Sequence, residues 1–313
     1  MSMSNSKVKV LYIAGFERSG STIVNRVLGQ IDGFIAWGEL RDIWQHGIIE
    51  NRRCTCGALF RECPAWTKIL NEAFGGVERV NAQEMVRLLK KTRASVLPHY
   101  FGALTDKFLK SNVEEYLNSL EQLYQAIKTT TSCKVIVDST KASWYGYVLG
   151  MLPTIDLYVV HVVRDPRGVC SSLQQYKSKG EPRCQWYNPI HASLSWNLKN
   201  SAVEMLLNRS PERYLRMRYE DFVQNPKTAV ESVLNLVQEK VTQLPFKDDF
   251  TVEMGVDHIF AGSPSSRSEI GAVKLRLDER WKKEMKPTDK AVITGLSLPW
   301  MLKYGYPLQF SKS

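Results

Sequence analysis

Five short apolar runs punctuate the chain, and each releases polar or glycine-rich text at its end. Val8–Ala14 (VKVLYIA) is nearly free of charge, the pattern of a parallel strand covered on both faces rather than of a half-exposed one. It leads into Gly15-Phe16-Glu17-Arg18-Ser19-Gly20-Ser21-Thr22, after which Ile23, Val27 and Leu28 fall at helical spacing. Ile35–Trp37 predicts a second strand, running into Gly38-Glu39-Leu40. Val135–Val137 predicts a third, ending in Asp138-Ser139-Thr140-Lys141. Leu157–Val163 predicts a fourth, ending in Arg164-Asp165-Pro166-Arg167, and Tyr214–Met217 a fifth, ending in Arg218-Tyr219-Glu220-Asp221. Between 64 and 130 the spacing is helical, as in Met85, Leu88 and Leu89 and again in Val113, Tyr116, Leu117, Leu120 and Leu123.

Buried strands separated by helices predict an α/β fold: a P-loop-like, doubly wound parallel sheet flanked by helices, with a helical insertion. Ligands of such sheets bind outside the carboxyl ends of the strands, which is where the polar runs stand. No repeat, low-complexity stretch or Pro/Gly/Ser linker divides the 313 residues. The expectation is one domain over 1–313: an α/β core at 8–40 and 132–240, a helical insertion at 42–130, and a C-terminal loop-and-helix segment at 245–313.

Composition adds bounds more than identity. At 43% apolar and 24% charged residues, the chain can bury a core without metal or disulfide staples, and disorder, collagen and coiled coil are excluded. The net charge of +10 suggests an anionic partner. The excess is diffuse, however: residues 1–150 hold 19 basic and 14 acidic side chains, so each half carries +5. No nucleic-acid-binding motif concentrates it, so a nucleic-acid polymer is not an expected partner. The longest weakly charged stretch, 142–163, contains Pro153, Asp156 and His161 and reads as helix, turn and strand. A membrane span needs about 20 uninterrupted apolar residues, so none is expected. The polar N-terminus shows no signal-peptide pattern, and a cytoplasmic location is expected.

The first candidate site follows the first strand. Strand, glycine-rich turn and helix aim backbone N–H groups and the positive helix end at one point, which suits a phosphate or sulfate. Gly15-x4-Gly20-x-Thr22 copies the spacing of the G-x-x-x-x-G-K-[ST] nucleotide loop, but Ser21 stands where the lysine belongs. That lysine reaches the outer phosphates in ATPases and kinases, so its loss argues against ordinary ATP chemistry, and Arg18 offers a cation at the loop mouth instead. The second candidate follows the fourth strand. Pro166 suits a first helical turn, which places Ser172, eight residues after Arg164, on that helix. An arginine at a strand end and a hydroxyl on the next helix suit a second anion.

With these residues in hand, the sequence resembles the sulfotransferases that use 3′-phosphoadenosine-5′-phosphosulfate, nearer their bacterial, carbohydrate and tyrosyl-protein branches than the cytosolic small-molecule branch. The resemblance rests on Arg18-Ser19-Gly20-Ser21-Thr22, on Arg164-Asp165-Pro166-Arg167 with Ser172, on Tyr219-Glu220-Asp221-Phe222, and on the late His258, Gly262-Ser263-Pro264, Arg267, Gly271 and Asp278-Glu279-Arg280-Trp281. It implies that Ser19, Gly20, Ser21 and Thr22 cradle the 5′-phosphosulfate with Arg18 on the transferring group. Arg164 and Ser172 would take the 3′-phosphate, Tyr219 would lie near the adenine, and Arg267 would sit on a loop closing over the donor. Where the tyrosyl-protein branch has another arginine, this chain has Tyr176.

Sulfuryl transfer to a hydroxyl needs a base, and Glu39 at a strand exit is the favoured candidate. The resemblance agrees, because tyrosyl-protein and many bacterial members carry a glutamate there. Lys141 would touch the transferring sulfate or an acidic acceptor, or else pair with Asp138. Glu17 is expected to turn outward, His161 to be a hydrogen-bonded core residue, and His258 is a weaker candidate base. Cys54-x-Cys56-x6-Cys63 lacks the paired C-x2-C spacing of zinc sites and has only His46 nearby in sequence. It reads as a structural loop with free thiols or a labile disulfide, and no metal is expected. The acceptor would be a small molecule or saccharide presenting a hydroxyl or nitrogen. Two rival readings are a nucleotide or metabolite kinase lacking the usual lysine and a non-catalytic polyanion-binding protein.

Overall fold

The computed structural model describes residues 7–178, 188–262 and 269–308. Its centre is a five-stranded, wholly parallel sheet of β1 (Val8–Gly15), β2 (Phe34–Gly38), β3 (Val135–Lys141), β4 (Ile155–Val163) and β5 (Tyr214–Arg218), ordered β2-β3-β1-β4-β5. The uninterrupted apolar text of β1 has a direct cause. Val8, Val10, Tyr12 and Ala14 enter one core layer, while Leu11 and Ile13 enter the layer on the opposite face. Each such side chain, fully buried, contributes on the order of 2 kcal/mol.

Crossovers are helical, as parallel strands require. Helix α1 (Ser21–Leu28) connects β1 to β2. Between β2 and β3 lie α2 (Pro64–Phe74), α3 (Ala82–Tyr100) and α4 (Asp106–Thr131), whose apolar faces join the layer holding Tyr12. Helix α5 (Ser143–Met151) leads to β4, while α6 (Pro166–Ser178) and α7 (Pro189–Leu207) lead from it to β5. Helices α8 (Tyr219–Gln224) and α9 (Pro226–Val237) cover the α1 face. An antiparallel pair, β6 (Thr251–Met254) with β7 (Gly271–Lys274), and a C-terminal helix Pro287–Lys303 complete the described chain. The chain leaves β1 toward the β2 edge and leaves β4 toward the β5 edge. Adjacent strands β1 and β4 therefore flank the point where the connections diverge, the usual ligand position in such sheets.

One strand departs from its sequence reading. β3 runs past Val137 through Asp138, Ser139 and Thr140 to Lys141, and the first three of these polar residues are buried. The alternation of apolar and polar residues cannot reveal a strand whose polar end is satisfied from elsewhere, and here the partner comes from a helix of the insertion. No helix among the described residues is long and apolar enough to cross a membrane.

Candidate active site at the strand ends

The turn from β1 into α1 depends on two glycines. A Cβ on Gly15, whose φ is +146°, would stand 2.3 Å from the Val162 carbonyl oxygen of neighbouring β4. A Cβ on Gly20, at φ +89°, would stand 2.4 Å from the Tyr219 ring. Absence of both side chains lets the loop fold down between β4 and Tyr219. Between them Arg18 adopts φ +66°, a left-handed conformation that costs a non-glycine residue on the order of 1 kcal/mol and concentrates at functional sites. Helix α1 begins directly after Gly20 without a side-chain cap. Beside it, the Ser19 hydroxyl is buried with no hydrogen-bond partner. A buried hydroxyl without a partner costs about 1–3 kcal/mol, and this one lies in the turn that opens α1.

The exit of β4 comes to the same place. Arg164 donates from Nη1 to the Arg18 carbonyl at 3.1 Å and from Nη2 to Asp278 Oδ2 at 3.1 Å, with its guanidinium carbon 4.7 Å from the centre of the Tyr219 ring. Arg18 in turn donates from Nε to Ser172 Oγ at 3.0 Å and stacks 3.8 Å over Tyr176. Arg18, Arg164, Ser172 and Tyr219, drawn from three stretches of sequence, thus form one contact set. The Arg280 hydrogen bonds, together with Arg164, hold the Asp278 carboxyl well below the usual carboxylate range. Tyr176 therefore backs Arg18, and Pro166 opens α6 as its ring predicts. Arg167, by contrast, turns inward to a bidentate pair with Asp165 and to the Pro307 carbonyl, and serves the fold.

Glu39 and Lys141 meet at the ends of β2 and β3. Lys141, left-handed at φ +70°, donates from Nζ to Glu39 Oε1 at 2.5 Å, and both side chains are nearly buried. Lys141 therefore pairs with Glu39 and not with Asp138. The fully buried Asp138 accepts from Tyr124 of α4 at 2.6 Å and from the Thr140 hydroxyl and N–H at 2.6 and 2.9 Å. Burial pushes its carboxyl up to about 6, against the opposing pull of Thr140 and Tyr124. The pair also lies close to the loop of β1. A Cβ on Gly262 would be 3.5 Å from Thr22 Oγ1 and 3.6 Å from Glu39 Oε1, so carboxylate and loop flank one point.

Three other expectations have definite outcomes. Glu17 does turn outward, to Lys199 of α7 at 2.5 Å; burial opposes its ionisation, but Lys199 outweighs that and lowers its pKa. His161 is fully buried. Asn200 gives Nδ2 to the Trp196 carbonyl, so its Oδ1 accepts from His161 Nε2 at 2.8 Å and Tyr214 donates to Nδ1 at 2.7 Å. Burial pushes this neutral imidazole down to about 4. His258 lies among Cys54, Cys56 and Cys63 rather than at Glu39. Arg267 falls outside the described residues. Sequence reasoning missed Tyr124 and Lys199, which sit in segments whose text shows only helical spacing, and Asp278 stands in a segment that carries the resemblance but whose text does not reveal Arg164 as its partner.

Comparison with known proteins points the same way. The sulfotransferase domain from the Synechococcus PCC 7002 olefin synthase has a similar fold, with a TM-score of 0.53 at 15% identity over 99% of both chains. The sulfotransferase domain from the curacin biosynthetic pathway gives 0.56 at 16% identity, over 97% of this chain and 100% of that one. No curated protein matches the sequence significantly. A model of the sulfotransferase family matches residues 11–243, from within β1 to beyond α9. That match takes in the Arg18 loop, Glu39, Lys141, Arg164, Ser172 and Tyr219, and by it this chain belongs to the sulfotransferase family.

Proposed function

We propose that the chain moves a sulfuryl group from 3′-phosphoadenosine-5′-phosphosulfate to a hydroxyl or nitrogen of a small-molecule or saccharide acceptor, by in-line displacement. The observation that most supports this reading is the convergence of Arg18, Arg164 and Ser172 on the divergence point of the sheet, beside a buried Ser19 hydroxyl that lacks a partner. These are donors arranged for an anion with two separated phosphate groups, and they fit this sulfuryl donor better than ATP. The donor supplies an activated sulfuryl group on a phosphate leaving group; the protein's part is positioning and charge.

In this account Ser19, Gly20, Ser21 and Thr22 hold the phosphosulfate with the first-turn N–H groups of α1. Arg18 stabilises charge on the transferring group. Arg164 and Ser172 bind the 3′-phosphate, a group absent from ATP, and the Tyr219 ring flanks the adenine. Glu39 accepts the acceptor's proton, and Lys141 fixes that carboxylate while adding positive charge next to the loop. The insertion at 42–130 and the segment from 245 shape the acceptor's side of the site. The test is incubation with the sulfuryl donor and a broad acceptor panel, read by mass spectrometry. A sulfate-sized gain on at least one acceptor, independent of magnesium and ATP, is expected. Magnesium-dependent ATP turnover with no such gain would overturn the reading in favour of a kinase.

A further inference from the structure

The loop after β2 contains a feature that transfer chemistry does not use. Cys54, Cys56, Cys63 and His258 bring their ligand atoms within 4.8 Å of one another. Individual separations are 3.6 Å for Cys56 Sγ to Cys63 Sγ, 3.2 Å for Cys63 Sγ to His258 Nδ1 and 3.9 Å for Cys54 Sγ to His258 Nδ1. Tetrahedral zinc, with bonds of about 2.3 Å to sulfur and about 2.0 Å to nitrogen, sets its ligands about 3.5–3.8 Å apart. The observed separations bracket that value. His46, the nearest histidine in sequence, turns instead to Glu50 at 3.0 Å, so the fourth group is supplied by a residue 195 positions beyond Cys63.

We propose that these four residues form a closed structural zinc site of the Cys3His kind. Three thiolates and one imidazole are the donor set that favours zinc over the harder divalent cations. With all four positions filled by protein, no place is left for water or substrate, which separates it from a catalytic zinc. Cys63 is the N-cap residue of α2, so its sulfur stands at the positive end of that helix. Cys54 and Cys63 are buried, and Trp37, Phe60 and Trp66 pack around the group, with Trp37 stacked on His258 at 6.2 Å. Free thiols leave this convergence unexplained, and a disulfide would use two sulfurs while leaving the third beside the imidazole.

The metal would add a clamp between two segments that already meet through hydrogen bonds and through Phe60 and Trp66 packed on Phe260. Thr55 bonds to the Asp257 carbonyl at 2.7 Å and to the Ile259 N–H at 2.9 Å, and the Trp66 indole donates to the His258 carbonyl at 2.8 Å. Four residues beyond His258, Gly262 comes to the point flanked by Thr22 and Glu39. Zinc would thus tie the insertion to the strand of chain that closes beside the site, and its loss would loosen that closure without removing any group from it.

The experiment reads metal, not transfer. Full-length protein purified without chelator should hold one zinc per chain by plasma mass spectrometry. Cys63→Ser and His258→Ala should each retain zinc about tenfold less tightly or worse, while Cys133→Ser keeps it. Because a ligand variant can fail to fold, wild-type protein is also stripped and titrated with Co²⁺. Thiolate-to-cobalt charge transfer and tetrahedral d–d bands should saturate at one equivalent. Metal-free protein that gives no cobalt bands, or a Cys56–Cys63 disulfide in freshly purified material, overturns the proposal. Stoichiometric zinc in a protein that transfers no sulfuryl group would sustain it while the functional reading fell.

Discussion

At the exits of β1 and β4, arginines and hydroxyls from separate segments converge beside a buried Ser19 hydroxyl that has no hydrogen-bond partner; at the exits of β2 and β3, charged and acidic groups complete one another. The first region sets the partnerless Ser19 hydroxyl beside the arginines Arg18 and Arg164, with one carboxylate, Asp278, drawn to Arg164. The second closes Glu39 on Lys141, and Asp138 on Tyr124 and Thr140. The difference separates two kinds of work. If the first region binds the donor's phosphates, as proposed, the partnerless Ser19 hydroxyl is capacity retained for that anion, whereas the second region uses its donors internally to hold Glu39 and Asp138 in place. Both carry the mark of a strained backbone, at Arg18 and Lys141, the only non-glycine residues with positive φ among the described strand exits named above.

The largest effect that would break this division is on rate. Glu39→Gln should lower kcat about 10³-fold while leaving affinity for the donor's desulfated product unchanged, as measured by single-turnover kinetics beside calorimetry. Loss of affinity with rate intact would move Glu39 into the anion-binding region and contradict the comparison. Next in size is Lys141→Met, which leaves a nearly buried carboxylate unpaired and should destabilise the fold by about 3 kcal/mol. Denaturant unfolding measures this, and adding Glu39→Gln should restore most of the loss. A Lys141→Met protein as stable as wild type would mean that the pair holds nothing in place.

A smaller effect sharpens the contrast between the two sides of β1, where Tyr12 pairs with Asp138 and Ala14 with His161. Asp138 in the fold titrates near 6, above its ordinary 3.8, so the native state binds the extra proton and stability rises as pH falls through 6. His161 titrates near 4, below its ordinary 6.5, so the unfolded state binds the extra proton and stability falls over the same window. The two contributions oppose each other in wild type. Asp138→Asn removes the first, and between pH 7 and 5 its stability should fall relative to wild type by about 1 kcal/mol. Parallel unfolding curves across that range for the two proteins would show that Asp138 does not titrate there.

Much of the first region was legible in the sequence because its signals are local. Gly15 and Gly20 at loop spacing, a strand-like run before them and helical periodicity after them place the Arg18 turn, and Pro166 places Ser172 on α6. The second region was only half legible. Glu39 and Lys141 were both marked by following strands, yet their pairing spans 102 positions and arises because β2 and β3 are neighbours in the sheet. The buried polar end of β3 was hidden for the same reason, since Tyr124 satisfies Asp138 from a helix whose text shows only an apolar stripe. His258 was the hardest to place. Its partners lie around 200 residues earlier, and nothing in the spacing of Cys54, Cys56 and Cys63 names it.

The most direct measurement of the account is nucleotide preference at equilibrium. Calorimetry with adenosine 3′,5′-bisphosphate and with adenosine 5′-phosphate isolates the 3′-phosphate that Arg164 and Ser172 are assigned to hold. Wild type should favour the bisphosphate by about 100-fold, the value of one or two charge-assisted hydrogen bonds, and Arg164→Ala should lose most of that preference while its affinity for the monophosphate changes little. Equal binding of the two nucleotides by wild type, or an Arg164→Ala protein that keeps the preference, would contradict it.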